Sequence, residues 1–535
     1  MGGAIQHLFT LRAGAGSAAE MGFKGYNLAR MARLGLPVPD GFVLGTALCR
    51  DWLNDPEAAQ SAARSMIESA LRDLERASGL RFGDARRPLL VSVRSGAPVS
   101  MPGMMDTLLD VGLNGATLRG VLRLTGNPRL AWDSYRRLVQ SFAETVHGAD
   151  PAPFRAALRR ALKREGLTQA RELDFRGLAA LTEEFLQLHD DLTGKRFPQD
   201  PRTQLEAAVG AVFRSWRSER ARVYRAMHNV AEDLGTAVTI QRMVFGNAGG
   251  TSGSGVAFTR DPSTGDNRLY VDFLFNSQGE DVVSGRHRAD DATRMAQVLP
   301  EAWRDLVAAR PLLEREFGDA QEIEFTVQEG RLFLLQTRAA KRTPWAALRI
   351  AVEQVREGLM EREAALERIA QLNPETIART RLAAGQGAEA IASVTSAGVG
   401  VASGRIALDS EAVRHHVDQG APAILVREDF STADIAAINL AAGALCRRGS
   451  RTSHAAVIAR QLGKVCLVGC EDLVIDRQQR TVRIADRLLP EGATISLDGN
   501  EGKVYAGEVR AVVERPESLL AEIASWKAQD PVPVT

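Results

Sequence analysis

Two stretches of this chain follow different periods, and no single layer of secondary structure satisfies both. Residues 115–232 are rich in Ala, Leu, Arg and Glu and repeat with a helical period. Residues 391–510 instead break into short β segments closed by glycine turns: "GVASGRIAL", "APAILV", "AGALC", "VCLVG", "TISLDG" and "GKVYAGE". A chain of 535 residues is also too long for one core, so two to four domains are expected. The pattern predicts a multidomain α/β and α+β protein. Its first domain covers residues 1–340 with a helical insert at about 115–232. A charged helical linker follows at 341–390, then a second α/β domain at 391–512 and a tail at 513–535.

Within the first domain, residues 22–46 read as a loop, an amphipathic helix, a Gly-Pro stop and a strand. Residues 89–114 start as a strand and enter a Gly/Pro/Met loop. Residues 236–260 alternate like paired strands around a glycine-rich turn, and 322–337 form a hairpin joined at "QEG".

Bulk properties exclude several classes. Lys and Arg number 67 against 66 Asp and Glu, so no basic field points to nucleic acid. No apolar run reaches 18 residues, so no membrane span is expected. The opening "MGGAIQHLFTLRAGAG" has no apolar core of the kind a secretory signal needs. Cys49, Cys446, Cys466 and Cys470 form no CxxC pair and no disulfide framework, so a reduced, cytoplasmic protein is expected.

Three groups of residues carry chemistry. "QRMVFGNAGGTSGSGVAFTRDPSTG" holds Gly246, Gly249, Gly250, Gly253 and Gly255 without the Gly-Lys-Ser/Thr of a Walker loop. Both a flap whose N–H groups cover phosphates and a bare β-hairpin tip fit that pattern. In "EIEF", Glu322 and Glu324 lie two apart on a strand, hence on one face, and Gln336 sits on the returning strand. Their oxygens suit Mg²⁺ bridging nucleotide phosphates, and equally a solvated sheet face. Lys24, Arg94 and Arg338 are cations in loops or at strand ends, where they can clamp phosphate. Taken jointly, flap, carboxylates and cations favour ATP.

The third group centres on "LCRRGSRTSHAAVIARQLGK". Thr452 or Ser453 is a natural N-cap, "HAAVIARQL" the helix and Gly463 its stop. His454 therefore sits in the first turn, where unpaired N–H groups and the dipole favour an anion such as a phosphoryl group. No neighbouring ligand spacing suggests zinc, and no serine elbow is present. A histidine nucleophile and a helix residue without a role both remain.

These residues are recognisable together. "TSHAAVIARQLGK" resembles the phosphohistidine signature of enzymes that make or use phosphoenolpyruvate. "GFKGYNLARMARLGLPVPDGF", "VSVRSGAPVSMPGMMDTLLDVGLN", the glycine-rich stretch, "NSQGEDVVSG" and "QEIEFTVQEGRLFLLQTRAAKRTP" resemble the pyruvate phosphate dikinase family, over about residues 20–340 and more loosely 390–510. The resemblance implies an ATP-grasp-like nucleotide domain followed by a swivelling phosphohistidine domain. It implies that the histidine takes the β- and γ-phosphoryls of ATP, releasing AMP. Phosphate then removes one as pyrophosphate, and pyruvate accepts the other in a separate barrel. By motif, Lys24, Arg94, Glu322, Glu324 and Gln336 would hold ATP and its Mg²⁺, with Glu324 and Gln336 as metal ligands. Glu280, Asp281, Arg338 and one of Arg136 or Arg137 would lie near the γ-phosphoryl, and His454 would be the carrier.

The chain departs from the family pattern in three places. Ser450 and Arg451 follow Gly449 where the family has a Gly-Gly pair. Asp272 and Glu322 exchange Asp for Glu and Glu for Asp, changing reach by one methylene. Only residues 455–535 follow His454, whereas a (β/α)₈ barrel needs about 250, so a pyruvate-binding barrel is not expected in this chain. The acceptor half would then be a separate subunit. Alternatively, the histidine serves another small acceptor, or the chain is a non-catalytic regulator of the same fold.

Overall fold

The structure, a computed structural model, describes all residues except 1–6, 13–15, 100, 102–106, 280–281, 283–291, 384–388, 431–433, 450–453 and 530–535. The chain divides into two compact units. One is Met1–Gly249 with Phe333–Thr337, and the other is Gly250–Leu332 with Arg338–Thr535.

The first unit is built on a sheet of five strands, β1 (Leu8–Thr10), β2 (Gly41–Leu44), β3 (Val91–Gly96), β4 (Thr107–Val111) and β5 (Ala237–Arg242). Their order is β1-β2-β5-β3-β4, antiparallel throughout. Helix α1 (Ala18–Arg33) starts at a capping box between Ser17 and Glu20 and is broken at Gly22, whose φ of 66° is left-handed. Residues 115–232 are largely helical. The largest helices there are α2 (Pro128–His147), α3 (Phe175–Thr193) and α4 (Pro201–Ser215). Each begins at an Asn or Asp cap, and α2 and α4 add Pro at the first position. Their apolar faces converge on buried Leu138, Phe142, Phe154, Phe185 and Phe213.

The second unit opens with a four-stranded sheet. Its strands are β6 (Gly253–Phe258), β7 (Tyr270–Phe275), β8 (Gln321–Gln328) and β9 (Arg331–Ala339), in the order β9-β8-β6-β7. The expected hairpin at "QEG" is therefore observed, but β5 and β6 do not pair with each other. Strand β5 already has β2 and β3 on its two sides, so it has no free edge to offer. Helices α5 (Pro300–Phe317), α6 (Pro344–Arg356) and α7 (Arg362–Ile369) complete this part.

Residues 341–390 are helical only in part. After α7 the chain forms β10 (Arg379–Leu382), which becomes a strand because a distant partner is at hand. It pairs antiparallel with a strand at Ala511–Glu514, so the segments entering and leaving the next domain run side by side. That domain holds β11 (Ala390–Ser393), β12 (Thr395–Gly398), β13 (Val401–Ala407), β14 (Ala423–Arg427), β15 (Gly443–Cys446), β16 (Val465–Val468), β17 (Thr494–Asp498) and β18 (Lys503–Ala506). They form one sheet in the order β11-β18-β17-β13-β14-β15-β16-β12, with parallel β13-β14-β15-β16 at its centre. Buried Leu425, Ala444, Cys446 and Cys466 line one face, and Ile424, Leu445 and Leu467 the other, as a parallel sheet requires. Helix α8 (His454–Gln461) lies in the connection between β15 and β16. The tail forms helix α9 (Glu517–Gln529), whose Ile523 and Trp526 pack with Trp345, Leu348 and Val352 of α6. No described helix is long and apolar enough to cross a membrane.

Candidate functional site

In the first unit, the break at Gly22 is enforced by close approach: a Cβ there would stand 1.8 Å from the carbonyl oxygen of Gly96. Lys24 follows the break and is helical, not in a loop as the sequence suggested. Its Cβ would lie 3.4 Å from a Cβ on Gly96, two residues along β3 from Arg94. Arg94 donates from Nη1 to the Leu335 carbonyl at 3.1 Å and from Nη2 to Gln336 Oε1 at 3.3 Å. The Asn27 side chain donates to the Thr337 carbonyl at 3.1 Å, and Leu334 N–H to the Pro37 carbonyl at 2.8 Å. Lys24, Arg94 and Gln336 are thus gathered around β3, and Gln336 is oriented by the arginine.

Arg136 and Arg137 stand on α2, both fastened by Asp133, at 2.7 and 2.9 Å. Burial opposes ionisation of Asp133, but Arg136, Arg137 and Arg129 together hold its carboxyl well below the usual range. Arg136 is buried against the Phe185 ring, whereas Arg137 is half-buried. Of the two, Arg137 is the more exposed.

In the second unit, register sorts the acidic residues. Val256 lies opposite both Asp272 and Glu324, and Phe258 opposite both Tyr270 and Glu322. Directly opposed residues share a face, as do Val256 and Phe258 on one strand, so Asp272, Glu322 and Glu324 all rise from one side of the sheet. Arg338 pairs with Glu322. Burial works against the guanidinium's charge, but that bond and the charge of Glu324 raise its pKa above the ordinary value. Glu322, read from sequence as an ATP-binding residue, here also neutralises a strand-end cation. Two further charged groups join this face without having been singled out from sequence. Burial and the nearby Arg338 push the Lys341 ammonium down. The buried Arg460 of α8 lies with its guanidinium carbon 5.7 Å from the Phe258 ring centroid. A lysine three places after Arg338, and an arginine within the apolar "AVIARQL", were the available signals.

The glycine-rich stretch needs correction. Gly253 and Gly255 belong to strand β6, not to a loop. They sit on the face opposite the carboxylates, where a Cβ would stand 2.2 Å from Phe273 Cζ or 2.5 Å from Phe325 Cζ. Those two rings stack at 5.8 Å, so packing alone demands glycine at both positions. Gly249 and Gly250, in the preceding loop, have open space around them.

His454 is the first residue of α8, as expected, and Gly463 ends that segment with a left-handed φ of 66°. Gly449 has φ 122°, so the first glycine of the family's pair is kept where the backbone requires it. Ser450 and Arg451 lie outside the described residues, as do Glu280 and Asp281.

Two family profiles match the chain. "Pyruvate phosphate dikinase, AMP/ATP-binding domain" covers residues 59–302. "PEP-utilising enzyme, mobile domain" covers residues 419–502. Among curated proteins, the chain is 41% identical to pyruvate, phosphate dikinase of Clostridium symbiosum over 95% of its own length and 58% of that protein. It is 39% identical to the Rhizobium meliloti enzyme, over 96% of the chain and 59% of that protein. It is 40% identical to a chloroplastic enzyme of Arabidopsis thaliana, over 96% of the chain and 53% of that protein. The chain therefore spans between half and three fifths of the length of these relatives. A nucleotide-binding part followed by a mobile domain defines the class, the phosphoenolpyruvate-utilising enzymes. Within that class, the relatives it matches over 95–96% of its own length are pyruvate, phosphate dikinases.

Proposed function

We propose that this chain is the ATP-dependent half of a dikinase-type phosphotransferase, with residues 1–340 binding nucleotide, 391–512 carrying the histidine and 341–390 linking them. A nitrogen of His454 attacks the β-phosphorus of ATP, the bond between the α- and β-phosphoryl groups breaks, and AMP leaves with the electron pair. Inorganic phosphate then attacks the outer phosphoryl on the histidine. Pyrophosphate departs, and phosphohistidine remains for an acceptor. Pyruvate, bound in a barrel domain on this or another polypeptide, is the acceptor the family resemblance favours.

The observation that supports this reading is the single sheet face carrying Asp272, Glu322 and Glu324, with Arg460 of the His454 helix over the same face. By the family resemblance, Lys24, Arg94, Glu322, Glu324 and Gln336 are assigned to ATP, and Arg338, Arg137, Glu280 and Asp281 to its outer phosphates. Gly253 and Gly255 shape the sheet beneath. Mg²⁺ suits the donors Glu324 and Gln336, which are hard oxygens. Among the described residues no three His, Cys, Asp or Glu side chains form a metal cage, so phosphate oxygens would complete the shell. Bound there, the ion would offset phosphate charge during transfer. Four buried thiols accord with a reducing, cytoplasmic setting.

The test uses ATP labelled at the β- and γ-positions, Mg²⁺ and phosphate. Acid-labile, base-stable label should appear on the protein, with AMP and pyrophosphate as products. His454→Ala should abolish the label while nucleotide still binds, and label persisting in that variant would overturn the assignment. Glu324→Ala should slow labelling by roughly 10²–10³-fold with circular dichroism unchanged. Adding pyruvate to these 535 residues alone should produce no phosphoenolpyruvate until a barrel domain is supplied.

A further inference from the structure

Arg460 is 1% exposed, at odds with a cation on the helix of a domain that has to move. Its Nε donates to the Ala397 carbonyl of β12 at 3.2 Å, so its own domain fixes the base of the guanidinium. The far side of the group lies over Phe258, at the end of the central strand β6 and on the carboxylate face of the four-stranded sheet. Burial pushes its pKa down, while Asp272, Asp261 and Glu322 oppose that shift by attraction. These three acids come from strand β7, from the segment after β6 and from strand β8, and none belongs to the domain that carries Arg460.

The spacing along α8 gives this contact a use. Arg460 lies six residues after His454 on one helix, a rise of about 9 Å. Fixing the arginine over the sheet therefore fixes where the helix, and with it its first turn, is presented. A buried charge pair suits such a seat. Its attraction roughly offsets the cost of stripping water from both partners, so it specifies a position without binding tightly. An apolar patch of equal area would hold the domain more firmly and would stay sticky once exposed.

We infer that Arg460 is a positioning residue that seats the His454 helix on the carboxylate face of the nucleotide sheet, with Asp272, Asp261 and Glu322 as its counter-charges. The inference rests on His454 being the phosphoryl carrier only for its consequence in catalysis; the seating itself can be measured without any chemistry.

All four native cysteines are buried, so spin labels can be placed on two introduced ones, at exposed Leu312 on α5 and exposed Leu488 in the 473–490 meander. The full chain should give a dominant narrow distance. Arg460→Gln should broaden it, and Asp272→Asn should do the same from a strand outside the phosphohistidine domain. The two changes together should be little worse than either alone, as for residues acting through one contact. Arg460→Lys should keep most of the narrow population. Histidine labelling from ATP should fall about tenfold in Arg460→Gln without loss of ATP affinity, and recover in Arg460→Lys. An unchanged distance in both single variants would overturn the inference. So would a change in Arg460→Gln alone, accompanied by early thermal unfolding, because that would make the residue part of its own domain's core. If the distances respond but no variant, nor the parent chain, is ever labelled, the seating stands and the carrier role of His454 fails.

Discussion

Two buried arginines in the same unit meet opposite fates. Arg260, just after β6, is bonded to Glu314 at 2.8 Å, to Glu353 at 3.4 Å and to Glu357 at 2.5 Å. Burial works against its charge, yet these bonds raise its pKa above the ordinary value. Arg460, equally buried, is attracted by acids on another domain's sheet, and its pKa falls. The first cation is wired to α5 and to the end of α6, elements that belong to one fold. The second lies over the sheet of residues 253–339, outside the domain that carries it. Arg260 has three carboxylate partners from its own fold, whereas the counter-charges of Arg460 lie on or beside the four-stranded sheet, outside the domain that carries it.

The comparison breaks most readily at Arg260. Arg260→Met removes the only cation bonded to three glutamates at once among these contacts, leaving buried Glu314 without its principal partner. A loss of about 3–5 kcal/mol in denaturant-derived unfolding free energy is expected. If Arg460 seats its helix by docking, as inferred above, Arg460→Met should cost under about 1.5 kcal/mol by the same measurement, because its acids would regain water on undocking. Equal losses at the two sites would erase the distinction.

Smaller effects sharpen it. Gly255→Ala pushes a methyl against the Phe325 ring and to within 2.8 Å of the Asp272 carbonyl, so it should cost about 1–3 kcal/mol. Because it moves the strand that holds Asp272, it should also broaden the domain distance. The smallest effect concerns the thiols. Burial pushes Cys466 up to about 12, Cys470 and Cys49 up to about 11, and Cys446 higher still. The thiolate is the reactive form, so at pH 8 a thiol reagent should find essentially none of the four until the protein unfolds. Arg460→Gln should leave that result unchanged. Reaction at Cys446 or Cys466 in the variant would mean that the domain opens rather than undocks.

Much of the site was legible along the chain. The start of α8 at His454, the hairpin bearing Glu322, Glu324, Gln336 and Arg338, and the helices of residues 115–232 all follow from spacing, caps and period. These signals act between residues a few places apart. The misreadings share a different origin. Lys24 is helical because the Gly96 carbonyl forces the break at Gly22. Gly253 and Gly255 are glycine because Phe273 and Phe325 lie across them, not because phosphate does.

By itself, then, the sequence determined which long periodic segments become helix, that a hairpin would join at "QEG", that a histidine would begin α8, and that two carboxylates would share a face of β8. Periodicity and capping are local, and one strand is enough to express them. Only the tertiary structure decided that Glu322 would answer Arg338, that residues 379–382 would become a strand beside 511–514, and that Arg460 would be buried over Phe258. Each of these joins groups remote along the chain or set on different strands. The free energy of a buried charge or an unpaired strand edge depends on what stands opposite it, and that is fixed only when the layers close.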